Sequence, residues 1–326
     1  MNSSKYTYSI FDFWDKPQKI LDTRAIESKS NSPIPFAEKI LSYTSRDLKK
    51  IKSKGFPCSE GIELMHQVQQ YQKFFDTNET IILIDEAPYL ISLAVWQHYR
   101  PTSNVLIYQG GTKRLNQESI DFMKRPFSFV TLFGKTGAGK TELLRILESK
   151  GAQTLDLESI ARHKGSVFGN LEEKEQLSQD SFIWSLAHKL ASMDLNKVIF
   201  VEAEKFNLGK NMIPLPLLDH MENAKKIKLN LPKPARIHRI IQQYAKVNDP
   251  KLASGIEKLK FKLGKSIADQ ALQYLREKNY EELMGILVDY FDQSESYNTL
   301  DTINFDCELD NQDMDQAADL LIRKFY

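Results

Sequence analysis

Eight residues, Gly134 to Thr141 (GKTGAGKT), carry the clearest chemistry in the chain, because Gly, four residues and then Gly-Lys-Thr is the spacing of a P-loop. Glycines at these positions let backbone N–H groups turn inward, and the start of the following helix adds positive potential. Lys140 then supplies a point charge for terminal phosphate oxygens. Gly134, Thr136, Gly137, Gly139, Lys140 and Thr141 are therefore the phosphate-binding candidates. Thr141 would ligate magnesium if a nucleoside triphosphate were bound. The spacing leaves open which phosphate compound is held.

Three further places could do chemistry. In DLESIARHKGSVFG, Asp156 to Gly169, the basic residues Arg162, His163 and Lys164 stand beside Gly165, Ser166 and Gly169 just past a candidate strand, where open α/β sheets bind ligands. Three basic residues in a row also describe a solvated turn. In VIFVEAEKFNLGKNMIP an apolar strand ends in Glu202 and Glu204, where a P-loop protein often holds magnesium or a water. The two share a face if the strand continues, since side chains alternate with period 2. They could equally pair with Lys205 and Lys210. Finally, ILIDEAPYL places Asp85 at a strand-to-helix junction, a position that suits a nucleophile.

The elements that position these groups read as α/β throughout. KILDTR, TIILID and NVLIYQGG are candidate strands, and EGIELMHQVQQYQKFF and APYLISLAVWQHY between them have helical spacing. That order predicts a small parallel-sheet domain over 1–125. KRPFSF, with Pro126 inside it, is the expected linker. A second domain over 126–326 opens with the strand before the Gly-rich turn and continues through AQTLDL, KVIFVEAE and KKIKLNL. Helical stretches such as SQDSFIWSLAHKLASM separate these strands, as a doubly wound sheet requires. From about Pro234 the text turns helical to near the end.

Composition narrows the classes. A chain of 326 residues with 41% hydrophobic content builds sizeable cores and favours two domains. With 44 basic against 43 acidic residues, nothing global draws it to nucleic acid or an anionic membrane, so any polyanion contact must be local. Cys58 and Cys307, the two cysteines, lie far apart and have no metal-like spacing, which argues against a disulfide scaffold and against zinc. No stretch approaches a bilayer-spanning length and no signal-like N-terminus is present, so a cytoplasmic protein with no membrane partner is expected.

The second half resembles the bacterial tRNA 2-selenouridine synthase family, whose members join a rhodanese-like domain to a P-loop domain. GKTGAGKT, the DLESIARHKGSVFG block, the Gln179–Phe182 spacing in LSQDSF, and VEAEKFNLGKNMIP with Glu202, Glu204, Gly209 and Pro214 carry the likeness. Phe206 departs from it, standing where the family usually has a basic residue. PARIHRIIQQY resembles the arginine-bearing helix that follows, which makes Arg236 and Arg239 candidate anion contacts, and ILVDYFDQSESY echoes a later family segment. The resemblance spans most of residues 126 to 300.

What the resemblance implies is an enzyme acting on the wobble 2-thiouridine of a tRNA anticodon loop, with geranyl diphosphate and selenophosphate as co-substrates. Lys140, Glu202, Arg162 and His163 become the catalytic candidates, and Tyr244, Tyr290 and Phe291 possible base stackers. Magnesium is a possible ion; the resemblance brings no resident metal or cofactor. In the first half, ILDTRAIES (Asp22, Arg24) and YQGGTKRL (Gly110, Gly111, Lys113) resemble rhodanese landmarks. Asp85 falls where that family has its nucleophilic cysteine, with Pro88 and Tyr89 in the anion cradle, so this reads as a degenerate rhodanese-like loop. A carboxylate carries no transferable selenium. Cys58 lies on another segment. Motif physics alone keeps an ATP-dependent kinase or ATPase open, and a tRNA- or protein-docking module is a third reading.

Overall fold

Apolar runs bounded by turn residues become parallel strands in both halves of the chain. The computed structural model describes residues 9–13, 18–56, 58–87, 89–163, 175–204, 206–244, 249–293 and 299–326. By its internal contacts the chain divides into two units, 1–125 with 177–192, and 126–176 with 193–326.

The first unit is built on β1 (Gln18–Asp22), β2 (Glu38–Lys39), β3 (Thr80–Ile84) and β4 (Val105–Tyr108), in the order β2-β1-β3-β4 with every pairing parallel. Leu21, Ile81, Leu83 and Val105 meet Ile91, Val95 and Tyr99 of the helix Leu90–Tyr99 in one buried cluster. The strand–helix–strand reading is thus met. β2 escaped it because two charged, exposed residues carry no apolar alternation.

The helix Gln179–Ala191 groups with this unit although it lies inside the second half of the sequence. Its buried residues, among them Phe182, Trp184, Leu186 and Leu190, leave no broad polar face, so it needs cover on more than one side. Ser181 Oγ donates to the Pro33 carbonyl at 2.7 Å, and His188 stacks on Phe36 at 5.0 Å.

The second unit centres on β5 (Ser128–Phe133). With β6 (Gln153–Leu155), β7 (Val198–Glu202), β10 (Lys225–Asn230) and β11 (Cys307–Asp310) it forms a parallel sheet in the order β11-β10-β5-β7-β6. A short antiparallel hairpin, β8 (Asn207–Leu208) with β9 (Asn211–Met212), follows β7. The chain leaves β5 towards β6 and β7, then returns across it to β10 and β11, which makes the carboxyl end of β5 the topological switch point. One face is packed by Leu143, Leu144 and Leu147 of the helix Lys140–Ser149 and by Ala317, Ala318 and Leu321 of the helix Met314–Phe325. Helices Lys233–Tyr244, Asp249–Leu263, Lys265–Arg276 and Tyr280–Asp292 share a second core around Ile256 and Leu287.

The α/β reading of this half holds, with one addition. β11 stands where helical text was expected, because in Cys-Glu-Leu-Asp only Cys307 and Leu309 point inward, too short a pattern to announce an edge strand. Among the described residues no helix is long and apolar enough to cross a membrane.

At the end of β1, Asp22 is wholly buried and holds the Arg24 guanidinium by two bonds of 2.9 and 2.8 Å, while Arg24 also donates to the Ser32 carbonyl at 2.8 Å. Removing one member strands a buried charge, so Asp22→Ala should cost about 3–5 kcal/mol. The exposed Lys50–Glu60 pair, 2.6 Å apart, is screened by solvent, so Lys50→Ala should leave stability nearly unchanged. Urea midpoints of the two variants check the contrast; equal midpoints would refute it.

Candidate active site at the phosphate loop

β5 runs straight into Gly134, and the loop closes when the helix begins at Lys140. Gly137 and Gly139 have φ of 77° and 87°, where a side chain is strained, and neither has room for one. A Cβ at Gly137 would meet Ile240 Cδ1 at 2.8 Å and the Arg236 carbonyl at 3.0 Å; one at Gly139 would meet the Arg239 guanidinium and Met314 Cε.

Two loop carbonyls are tied from outside. Arg236 donates to Thr136 O at 3.1 Å; Arg239, at 3.1 Å, and Asn311 Nδ2, at 2.6 Å, both donate to Ala138 O. In a trans peptide the C=O and the next N–H point in opposite directions, so these bonds turn the Gly137 and Gly139 amides to the other side. Arg236 is itself fixed, buried and held bidentately by Asp292 at 3.0 and 2.6 Å. Both arginines therefore act on the loop's peptides in this structure. Lys140 Nζ donates to Gly134 O at 2.9 Å. A phosphate oxygen would exchange this neutral acceptor for a charged one, a stronger bond.

Across from the loop, β7 pairs with β5 so that Glu202 lies beside Leu132. The strand ends there, and Glu204 sits in the following coil, so strand alternation is not what brings the two carboxyls together. Glu202 is 4% exposed and its Oε1 is buried without a hydrogen-bond partner among the described residues. Burial pushes its pKa up to about 7 against the pull of Lys140 and a hydrogen bond from Thr141. Glu204 is pushed up to about 8 by burial and then by the charges of Glu158 and Glu202. The acid cluster thus holds protons near neutral pH next to the loop's lysine.

The short helix Leu157–Ala161 brings Glu158 to this cluster, with Asp156 capping it through a 2.8 Å bond from Ser159 N. Arg162 ends that helix in a left-handed conformation, φ 52°, and is exposed. His163 donates its backbone N–H to Glu158 O at 3.0 Å, and its Nδ1 is buried without a hydrogen-bond partner among the described residues. Lys164, Gly165, Ser166, Gly169 and Lys205 lie outside the described residues, as does the Tyr244 side chain. Tyr290 and Phe291 are half-buried and pack against the helical core, with ring centroids 5.4 Å apart. Among the described residues no three or more His, Cys, Asp or Glu side chains gather as a metal site. Asp292, Asn311 and Glu158 were not singled out from sequence, though Asp292 falls inside the ILVDYFDQSESY segment.

Residues 127–304 match the family model described as the tRNA 2-selenouridine synthase AAA domain. The chain belongs to this family. Two relatives named tRNA 2-selenouridine synthase are similar to it: one from Nitrosomonas europaea, 27% identical over 58% of this chain and 51% of its own, and one from Shewanella sediminis, 34% identical over 42% of this chain and 37% of its own. An uncharacterized protein of Methanocaldococcus jannaschii is 27% identical over 58% of this chain and 88% of its own length. The chain thus spans about half the length, or less, of the synthase relatives it matches. The loop, Glu202, Arg236 and Asp292 all fall within the family match.

Asp85 lies outside it, at the end of β3. It is buried, and its carboxylate accepts N–H bonds from Glu86 at 2.8 Å and Ser92 at 3.1 Å. Burial pushes its pKa up to about 6 against those two bonds. Tyr89, at φ 59°, accepts the Gly110 N–H at 2.6 Å, and Glu86 accepts from Thr112 at 2.5 Å, which ties the junction to the turn after β4. Pro88 is outside the described residues.

Raised carboxyl pKa values have a sign for stability. Between the ordinary value of 4.5 and about 8, the folded state binds more protons at Glu204 than the unfolded chain does, so stability falls as pH rises through that window. Glu204→Gln should therefore melt higher than wild type by several degrees at pH above 8, with the gap closing by about pH 5. Thermal melts across pH check this; a gap that widens on acidification would contradict it.

Proposed function

We propose that this chain modifies the wobble 2-thiouridine of tRNA by S-alkylation from geranyl diphosphate. The observation that supports it best is a braced anion loop set beside buried carboxyls whose protons exchange near neutral pH. The thiouridine sulfur attacks the first carbon of the geranyl group, the carbon–oxygen bond breaks, and diphosphate leaves. Forming the S-alkyl product releases the N3 proton, which the Glu202 carboxylate accepts. Lys140 and the inward amides of Gly137 and Gly139 stabilise the charge that develops on the diphosphate, as preorganised donors do. This step needs no ATP. Arg162 and His163 are read as contacts to the anticodon-loop backbone, and the wobble base must be splayed from its stack to react.

The first unit is read as a degenerate rhodanese-like domain. The Asp85 carboxylate takes up the Glu86 and Ser92 N–H groups, and its charge would repel selenophosphate. With no sulfur at that junction, selenium transfer by this unit is lost and the product stops at the S-geranylated nucleoside.

Purified protein incubated with thiouridine-containing tRNA and geranyl diphosphate should yield, on digestion, a nucleoside heavier by one geranyl group. Lys140→Ala should slow this about 10²–10³-fold. The rate should climb as pH rises through about 7 and Glu202 loses its proton. No mass gain at stoichiometric enzyme would sink the proposal, as would an undiminished Lys140→Ala variant.

A further inference from the structure

In the second unit the helix Asp249–Leu263 turns at Gly264 into the helix Lys265–Arg276. Leu252, Ile256, Leu259 and Leu263 face the helical core, each three or four residues from the next. Phe261, midway between Leu259 and Leu263, therefore falls on the opposite side. It is 99% exposed, more than any other large apolar residue among those described. Lys258 stands one turn before it on the same face, Lys262 follows it directly, and Lys265 opens the next helix; all three are exposed. Gly264, at φ 83°, has nothing within 4 Å of where a Cβ would sit, so the turn is open. Between Lys258 and Ala268 the sequence has no acidic residue. The nearest ones, Glu257 and Asp269, both turn to Lys260, at 3.6 and 3.0 Å. Lys258, Lys262 and Lys265 form no ion pair among the described residues.

A wholly exposed phenyl ring contributes no burial to the fold, so its entire face is offered to a partner. Tyr290 and Phe291, by contrast, are half-buried against the helical core. A free aromatic ring amid lysines without ion pairs matches an unpaired nucleotide: the base stacks on the ring, and the ammonium groups meet the phosphates on either side. Lysines suit that backbone as mobile point charges that read no sequence. A lipid surface fits less well. An interfacial helix buries a broad apolar face, and here that face is committed to the core, leaving Phe261 and Ile267 exposed between the carboxylates of Glu257 and Asp269. Leu252 and Ile256 share their core with Ile240, on the helix that carries Arg236 and Arg239. RNA held at this turn is therefore held in a fixed relation to the phosphate loop.

We propose that this turn is an RNA-docking surface: Phe261 stacks an unpaired base of the tRNA other than the one that reacts, and Lys258, Lys262 and Lys265 hold the phosphates beside it. The proposal rests on the reading of tRNA as the substrate, and none of these residues belongs to the phosphate loop or its carboxyl cluster. The full chain is titrated with an unmodified tRNA transcript, with a fully paired RNA duplex, and with vesicles of equal phosphatidylglycerol and phosphatidylcholine. Phe261→Ala should weaken tRNA binding at least about fivefold, while Phe261→Trp keeps the affinity and its fluorescence is quenched on stacking. Changing the three lysines together to Gln should weaken binding and flatten the slope of log affinity against log salt by about 2. Duplex binding should not depend on Phe261, and every variant should match wild type in melting temperature and diphosphate affinity. If wild type and the variants bind tRNA alike, or if the partner that depends on Phe261 is the vesicle and not RNA, the surface is overturned. If the variants lose tRNA affinity while wild type adds no geranyl group to thiouridine, the surface stands and the alkylation reading falls. A wild type that binds no tRNA overturns both.

Discussion

The phosphate-loop half of this molecule depends on one ion pair, the fork between the buried Arg236 and the half-buried Asp292. A Gly-rich loop has no intrinsic reason to keep one shape, since its residues lose more conformational freedom on ordering than any others. Here the shape is imposed from outside. Asp292 fixes the guanidinium with two bonds, the guanidinium fixes the Thr136 carbonyl, and Arg239 with Asn311 does the same for Ala138. The cost of ordering the loop is thus met in folding, before any anion arrives, which is what preorganisation means energetically. It also explains why the helical core from Lys233 to Asp292 belongs to the site: it presents both ends of the fork.

On the other side of β5 the electrostatics run in the opposite sense. Buried Glu202 and half-buried Glu204 lie close enough to feel each other and Glu158, with Lys140 as the opposing charge. Low dielectric and like charge together favour their neutral forms. An anion on the loop and a deprotonated Glu202 would compete for the same ammonium. The proton inventory of the carboxyls is therefore coupled to what the loop holds, a property suited to chemistry in which a proton and an anionic leaving group depart together.

Much of this was legible in the residues, and the exceptions have physical causes. The loop, its lysine and the strand ending in Glu202 are local patterns, with every determinant within a few positions. β3 and β4 were legible because four consecutive apolar residues, 81–84 and Val105–Tyr108, bounded by polar ones leave few alternatives. By contrast, Asp292 and Asn311 act on the loop from positions more than 150 residues away in sequence. Nothing local marks such a carboxylate as a brace rather than a helix-end charge. The bracing by Arg236 and Arg239 was invisible in the same way: their types suggested anion contacts, and in the structure their bonds run to peptide carbonyls and, for Arg236, to Asp292. The edge strand β11 and the placement of the helix Gln179–Ala191 were likewise decided by packing partners distant in the chain.

The two strand-to-loop junctions show what the fold conserves and what it lets go. After β3, Asp85 caps its own junction with two N–H bonds; after β5, the loop carbonyls are drawn outward and the amides are turned the other way. One junction is closed upon itself; the other keeps its amides turned away from its braces. The most direct test is the affinity of inorganic diphosphate for Arg236→Met and for Asp292→Asn, measured calorimetrically against wild type. If the fork is a brace, both variants weaken binding at least tenfold, because each unties the same carbonyl. Asp292→Asn binding diphosphate as tightly as wild type, or more tightly, would contradict the account and make Arg236 an anion ligand instead.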